Sequence, residues 1–336
     1  MNAEMRAERA TWNGCRYRPG DPAGHYESYF QRANHPSEPL AFWIRYTLFS
    51  PRGRPAEAVG ELWAIVFDGL AGRITAVKEV IPLAQCAFSA AGLDVRLGAA
   101  SLREGQLAGE AVGQGHRIGW SLTYSCAAAP LLLLQRRLYS GGFPKAKSLV
   151  GAPLARYEGA LVIDGAPLAV DGWIGSQNHN WGSQHTDEYA WGQVAGFDDA
   201  PEAFLECITA RTRIGPWFTP WLTLAVLRVG GRELALNSLL QSVRAVGRFR
   251  FFEWTFTSAA AGERLSGRIE APASAFVGLT YANPPGGAKT CLNTKLAACT
   301  LTLERRGAPA LRLHTRHRAA FEILTDRSDH GVPIAA

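Results

Sequence analysis

The residues best suited to chemistry crowd into one stretch, Trp173 to Gln193. Within 21 residues it holds three tryptophans, two histidines, two asparagines, three glutamines and three glycines. Indoles give apolar walls, amides and imidazoles give oriented donors and acceptors, and glycine lets backbone come close. His179, His185, Asp187 and Glu188 are the titratable groups of the stretch, and Glu27 and Glu61 flank other aromatic segments. A carboxylic acid held against apolar walls has its pKa raised by desolvation, and a histidine has it lowered, which suits acid–base work. The alternative reading of the stretch is a polar, aromatic junction between two β units.

Other chemistries find less support. His179 and His185 are six apart in a loop, which is no recognised ligand spacing, so no metal is expected. His314 and His317 lie in a late basic segment and read as surface residues. There is no Gly-x-Ser-x-Gly elbow, no Gly-x-Gly-x-x-Gly and no Gly-x-x-x-x-Gly-Lys, which argues against an activated serine and against nucleotide cofactors. The tryptophans speak more clearly: Trp43, Trp63, Trp173, Trp181, Trp191, Trp217, Trp221 and Trp254 lie in or beside segments of strand character. Several lining one cavity would suit a large apolar ligand and, through their ring faces, a developing carbocation.

The elements that must position these residues read as strands. Phe42, Ile44, Tyr46 and Leu48 recur with period two, Val59 to Phe67 forms a second run, and Asp68-Gly69 ends it. Tyr157 to Ile163 and Leu168 to Trp173 predict a hairpin turning at Asp164-Gly165. The second half continues with nine further short runs between Tyr189 and His314. Helix signals are sparse, Leu83 to Ala91 being the least weak. Short strands about every ten residues predict an all-β chain of two antiparallel barrels. Residues 1–24, charged and then rich in Pro and Gly, predict a mobile arm.

At 336 residues the chain exceeds what one core usually supports, so two domains are expected. The net charge is +6, but the basic residues are scattered, so nucleic acid is not an expected partner. Six widely spaced cysteines without a CxxC read as reduced, mostly buried residues. The start is charged and lacks an apolar core, and Ala127 to Leu134 is too short to span a bilayer, so a soluble, cytoplasmic protein without transmembrane segment is expected.

Gly159 to Gly165, Val170-Asp171-Gly172-Trp173, His179-Asn180-Trp181-Gly182 and Tyr189-Ala190-Trp191 together resemble the carotenoid hydratase (hydroxyneurosporene synthase) and AttH-like group, and more loosely tocopherol cyclase. His25 to Phe30 and Tyr281-Ala282-Asn283-Pro284 are similar to that wider set. The resemblance implies two tandem lipocalin-like (calycin) barrels, with the Trp-Gly motif closing the first, and so a first barrel over 25–185 and a second over 186–336. It also implies a departure. Where the hydratase-like pattern reads Asp-His-Glu-Trp-Gly, this chain has Asn178, His179, Asn180, Trp181 and Gly182. An amide cannot protonate an alkene. The resemblance to fungal Diels–Alderases in fold offers another route, in which the protein folds a flexible substrate and hydrogen-bonds its carbonyl.

The expectation is a cofactor-independent enzyme that cyclises, isomerises or hydrates a lipophilic isoprenoid or polyketide-like substrate at the barrel junction. Its rival is a non-catalytic carrier of such a molecule. The expected catalytic residues are His179, Asn178, His185 and Glu188. The expected substrate contacts are Trp173, Gln177, Asn180, Trp181, Gln184, Tyr189, Trp191, Tyr29 and Trp43.

Overall fold

The structure, a computed structural model, describes residues 3–336. Two large antiparallel sheets dominate it. The first contains β1 (His25–Asn34), β2 (Leu40–Ser50), β3 (Val59–Asp68), β4 (Arg73–Pro82), β5 (Cys86–Phe88) and β6 (Asp94–Leu97). It continues with β7 (Ala100–Arg103), β8 (Gln106–Gly113), β9 (His116–Ser125), β10 (Leu131–Leu132), β11 (Ala146–Ile163) and β12 (Ala166–Gly182). The strand order is β4-β3-β2-β1-β12-β11-β9-β8-β7-β6-β5, so the first strand pairs with the last and the sheet curls into a barrel. β4 returns to β8, where the Val112 N–H donates to Glu79 (3.1 Å) and the Lys78 N–H to Gln114 (2.8 Å).

The second sheet repeats the plan. Its strands are β13 (Glu188–Ala195), β14 (Phe204–Arg211), β17 (Leu222–Val229), β18 (Arg232–Leu236), β19 (Val246–Arg250) and β20 (Glu253–Ala260), then β21 (Glu263–Glu270), β22 (Val277–Ala282), β23 (Ala288–Arg305) and β24 (Ala308–Thr325). A small hairpin of β15 (Arg213–Ile214) and β16 (Trp217–Phe218) stands apart, and helix α2 (Leu239–Arg244) precedes β19. Here too first and last strands pair, in the order β18-β17-β14-β13-β24-β23-β21-β20-β19. Each barrel therefore closes on a long hairpin, β11–β12 and β23–β24, of 17- and 18-residue strands bent by bulges. The fold is all-β and two-barrelled, as the strand spacing implies.

The turn of the first long hairpin is the expected Asp164-Gly165. Both residues have positive φ (50° and 87°), as a two-residue turn matching the strand twist requires. Each barrel has its own core, around Phe42, Tyr46, Trp120, Tyr157 and Trp173 in the first and Trp254, Phe256, Phe276 and Phe321 in the second. A third apolar cluster fills the seam where the outer faces of β1–β4 meet β13 and β22–β24. The six cysteines are all free thiols, three of them buried.

Two expectations need correction. Leu83 to Ala91 is not a helix: Leu83–Gln85 makes one tight turn and Cys86–Phe88 is strand β5. Residues 1–24 are not wholly an arm without regular structure, because Ala3–Asn13 is a helix, α1, that buries Arg9, Trp12 and Asn13. Arg9 donates to Glu104 (2.6 Å) and the Ala128 carbonyl (2.8 Å), and Trp12 packs edge-on to Tyr139 at 5.2 Å. Its contacts are a polar anchor and one indole, so no apolar stripe marks it in the sequence. Trp12→Ala is expected to destabilise the fold by about 3 kcal/mol in chemical denaturation, and a loss under about 1 kcal/mol would show that α1 is not docked.

Candidate functional site

The chemically rich stretch runs along β12 into the connection to β13, and strand geometry divides its residues between two faces. Successive side chains in a strand point to opposite sides, and β12 pairs with β1 in the register Trp181↔Glu27, His179↔Tyr29, Gln177↔Gln31. These residues, with Trp173, face the interior of the first barrel. Asn178, Asn180 and Ser176 face outward, beside Ser28, Phe30 and Arg32, toward the second barrel.

The inward group is a closed knot. His179 and Glu27 are fully buried, and His179 Nε2 lies 2.8 Å from Glu27. His179 Nδ1 lies 2.9 Å from the Trp12 carbonyl, which can only accept, so Nδ1 carries a hydrogen. Glu27 also accepts from the backbone N–H groups of Arg16 (2.9 Å) and Tyr17 (3.0 Å), from His25 Nε2 (2.9 Å) and from the Tyr29 hydroxyl (3.2 Å). Burial alone would favour its neutral form, but the hydrogen bonds from His179 and His25 hold Glu27 well below the usual carboxylate range. With a carboxylate on one side and a carbonyl on the other, both ring nitrogens of His179 are engaged. Tyr29 stacks on one face of its ring at 4.2 Å, and Trp181 lies 4.6 Å away. Gln177 exchanges hydrogen bonds with Asn13 (2.9 and 3.1 Å). This group bolts residues 12–17 across the barrel, and His179 has no nitrogen left for a substrate.

The outward group belongs to the seam. Arg32, fully buried, donates from Nε to Gln193 Oε1 (2.7 Å) and from Nη1 to Asn34 Oδ1 (2.7 Å). Gln193 Nε2 donates to Asn178 Oδ1 and to Glu206 Oε2, each at 2.8 Å, and Trp191 Nε1 donates to Glu206 Oε1 at 2.8 Å. Asn178 Nδ2 donates back to Ser176 (2.9 Å), so this amide is engaged at both ends. Burial pushes Glu206 up to about 7 against these hydrogen bonds and the Arg32 charge. Nearby, Lys295 Nζ donates to Asn293 (2.6 Å) and Glu322 (2.8 Å) and lies 5.6 Å above the rings of both Trp43 and Trp191.

One part of the seam is left unsatisfied. Arg45, only 6% exposed, makes no hydrogen bond or ion pair with any described residue. Its guanidinium lies over Tyr281 at 4.5 Å and near Trp43 at 5.9 Å. Trp43 Nε1, Trp63 Nε1, Ser28 Oγ and Thr47 Oγ1 are likewise buried without a protein partner. The register puts them together: Ser28 lies across from Thr47, Phe30 from Arg45, and Arg45 from Trp63. Asn180, half-buried, completes the Ser28 row. His185 stacks on Tyr26 at 4.0 Å and lies 5.8 Å from Tyr281. Burial and the Arg45 charge draw His185 down to about 3, so it is a neutral imidazole near pH 7. Tyr189 makes a long hydrogen bond to Glu322 (3.5 Å), and burial keeps it and Tyr281 protonated.

Of the expected residues, the structure gathers Trp43, Asn178, Asn180, His185, Tyr189 and Trp191 at the seam. It places Tyr29, Trp173, Gln177, His179 and Trp181 inside the first barrel. Gln184 accepts from Lys145 (3.2 Å) at the rim, and Glu188 is held in an ion pair with Arg211 (2.7 Å). Glu61 pairs with Lys78 (2.8 Å), whose ammonium lies 4.2 Å over Trp63. Arg32, Arg45, Glu206, Lys295 and Glu322 were not expected from the sequence. The signal that could have found them is a charge inside a strand that is apolar on both faces, such as Trp43-Ile44-Arg45-Tyr46 or Phe204-Leu205-Glu206-Cys207. Among the described residues, no three metal-ligating side chains come together. A surface hollow of about 630 Å3 opens elsewhere, beside Phe251 and Phe252, but its Arg250 and Glu253 are already paired with each other.

No family model matches the chain. Two uncharacterized proteins of Mycobacterium tuberculosis are each 26% identical to it over 203 residues, and the match spans 59% of this chain and 59% of theirs. Among solved structures, kievitone hydratase from Nectria haematococca superposes with a TM-score of 0.58 and 11% identity over 97% of this chain and 93% of that one. CghA bound to Sch210972 gives 0.57 and 13%, over 91% and 89%. An AttH-like protein of Nitrosomonas europaea gives 0.55 and 14%, over 90% and 92%. The chain thus has the two-barrel fold of the hydratase and AttH-like group that its sequence resembles.

Two outcomes test the division of the site. His179→Ala removes one of the donors that the buried Glu27 carboxylate accepts from and leaves a hole between Tyr29 and Trp181. It is expected to cost about 3 kcal/mol of stability in denaturant unfolding, and a loss under about 1 kcal/mol would contradict the knot. His185 binds a proton less readily folded than unfolded, so it destabilises the fold as pH falls from 6.5 toward 3 and has no effect above that window. In a pH series of unfolding midpoints, His185→Asn should flatten that part of the curve, and an unchanged slope would show the ring is not enclosed.

Proposed function

We propose that the protein is an enzyme that binds a lipophilic substrate bearing a carbonyl or enol oxygen in the seam and cyclises, isomerises or hydrates it. The observation that carries this reading is Arg45, 6% exposed, whose Nε is buried without a partner and whose guanidinium lies in a wall of aromatic rings with no hydrogen bond or ion pair to any described residue. An uncompensated buried charge destabilises a fold, and such groups are characteristic of sites that wait for a ligand. A carbonyl oxygen turned toward Arg45 would be polarised, and negative charge developing on it in the transition state would be stabilised without reorganisation. Trp43, Trp63 and Tyr281 supply the apolar walls, and Ser28, Thr47 and Asn180 supply polar contacts along one edge.

Beside Arg45, the neutral His185 ring and the Tyr189 hydroxyl can hydrogen-bond a substrate oxygen or a water. With His185 drawn down to about 3 and Tyr189 pushed up by burial, their part is to orient the substrate and not to exchange protons with it. Asn178 is engaged by Gln193 and Ser176, so its part is to space the seam. Glu206 sits behind Trp191 and sets that indole's orientation. The names of the fold relatives support the substrate class: one is a hydratase, and another was solved with the small molecule Sch210972.

The test compares the parent with Arg45→Met and Arg45→Lys over a panel of lipophilic enones and polyprenyl ketones, following binding and product formation. Arg45→Met is expected to lower turnover by about 10²-fold or more while the thermal midpoint holds or rises. Undiminished turnover in Arg45→Met would overturn the assignment. A parent that binds members of the panel and converts none would make the protein a carrier.

A further inference from the structure

The end of the second barrel carries an apolar surface that no described part of the chain covers. The ladder pairs Ala210↔Leu222 and Ala225↔Leu236 make the β15–β16 hairpin and α2 leave the sheet at the same end. Trp217 at the hairpin is 76% exposed and Ile214 57%. On α2 the usual polarity is reversed: Leu239 (69%), Leu240 (60%) and Val243 (48%) face out, while Ser242 is buried. A capping box between Ser238 and Gln241 keeps this short helix formed. Six of the twelve large apolar side chains that are exposed fall between 214 and 246, which marks a patch and not a scatter.

The unpaired charge beside the patch is basic. Arg211 is paired with Glu188 and Arg250 with Glu253, whereas Arg213, Arg244 and Arg248 are exposed and make no ion pair with any described residue. The hairpin is firmly mounted. Arg211 stacks on Phe218 (4.2 Å) and Trp221 (4.5 Å), Trp221 packs on Phe249 of β19 (5.2 Å), and Asp187 accepts from the Arg213 N–H (2.7 Å).

We infer that this end of the second barrel docks on an anionic phospholipid bilayer. Exposed Trp, Ile and Leu would enter the interfacial region while arginines meet the lipid phosphates. Among the described residues no helix is long and apolar enough to cross a membrane, so the contact is peripheral. A protein partner would have to offer a strongly acidic rim around an apolar centre, whereas an anionic bilayer supplies both everywhere. Asp187, two residues from His185, ties the hairpin beside the seam, so a docked protein would hold the seam next to the lipid. The docking does not depend on the proposed reaction.

Vesicle flotation of the full chain tests it, with phosphatidylcholine alone and with phosphatidylglycerol added. The parent should float with the anionic vesicles at about 0.1 M salt and be released as salt rises. Ile214→Ser with Trp217→Ser, Leu239→Ser with Leu240→Ser, and Arg244→Glu with Arg248→Glu should each weaken partitioning about tenfold. Val112→Ser, at an exposed residue of the first barrel, should not. All of these side chains are exposed, so near-ultraviolet dichroism and the thermal midpoint should match the parent. The inference is overturned if the parent ignores anionic vesicles, if it binds neutral vesicles equally without salt dependence, or if the paired variants bind like the parent. Self-association abolished by Trp217→Ser in a parent that ignores vesicles would assign the patch to a second copy instead.

Discussion

Polar groups caught between two barrels have no water to satisfy them, and that constraint organises this molecule. Arg32 meets it by spanning the seam: from β1 its guanidinium reaches Gln193 on β13 and Asn34 beside it, and it approaches the Arg318 carbonyl of β24 at 3.4 Å. Asn34 continues the link to the Lys295 carbonyl at 2.6 Å. These directional bonds admit one arrangement of the two sheets, where apolar packing alone would tolerate slippage. The rigid seam then fixes the place where the rule is broken. Arg45 lies two residues along β2 from Trp43, which is itself paired across the strands with Arg32, yet beyond aromatic rings it finds no hydrogen-bond acceptor among the described residues.

Period-two alternation gives the same two strands, β1 and β12, two separate tasks. Their inward side chains, Glu27, Tyr29, Gln177 and His179, complete the first barrel and pin α1 and the segment after it. Their outward side chains, Ser28, Arg32, Asn178 and Asn180, build the seam. Neighbours in sequence thus do unrelated work, and Asn178 and His179 are the sharpest case. An amide at Asn178 fits this division, since a carboxylate there would face Glu206 through Gln193.

Much of the fold is legible in the sequence because its signals are local. The alternation of Phe42 to Leu48 and the Asp164-Gly165 turn need only neighbouring residues to act. The site is less legible because its members come from distant strands. A charged residue within a strand ordinarily points to water, so Arg45, Glu206, Lys295 and Glu322 read as surface positions until a second sheet is laid over them. The concentration of His, Asn and Trp from Trp173 to Trp191 does mark the right strand. It does not reveal that the histidine is locked into structural hydrogen bonds while the neighbouring face meets the other barrel. Helix α1 escapes notice because what it buries is mainly an arginine, an asparagine and one tryptophan.

On the proposed function, ligand chemistry belongs to the seam at Arg45 and not to the barrel interior at His179. A crystal structure with a bound polyprenyl ketone or enone tests this most directly. The ligand oxygen is expected within about 3 Å of the Arg45 guanidinium, with its hydrocarbon between Trp43, Trp63 and Tyr281. Density inside the first barrel against His179, or an Arg45 that turns away to pair with a protein carboxylate, would contradict it.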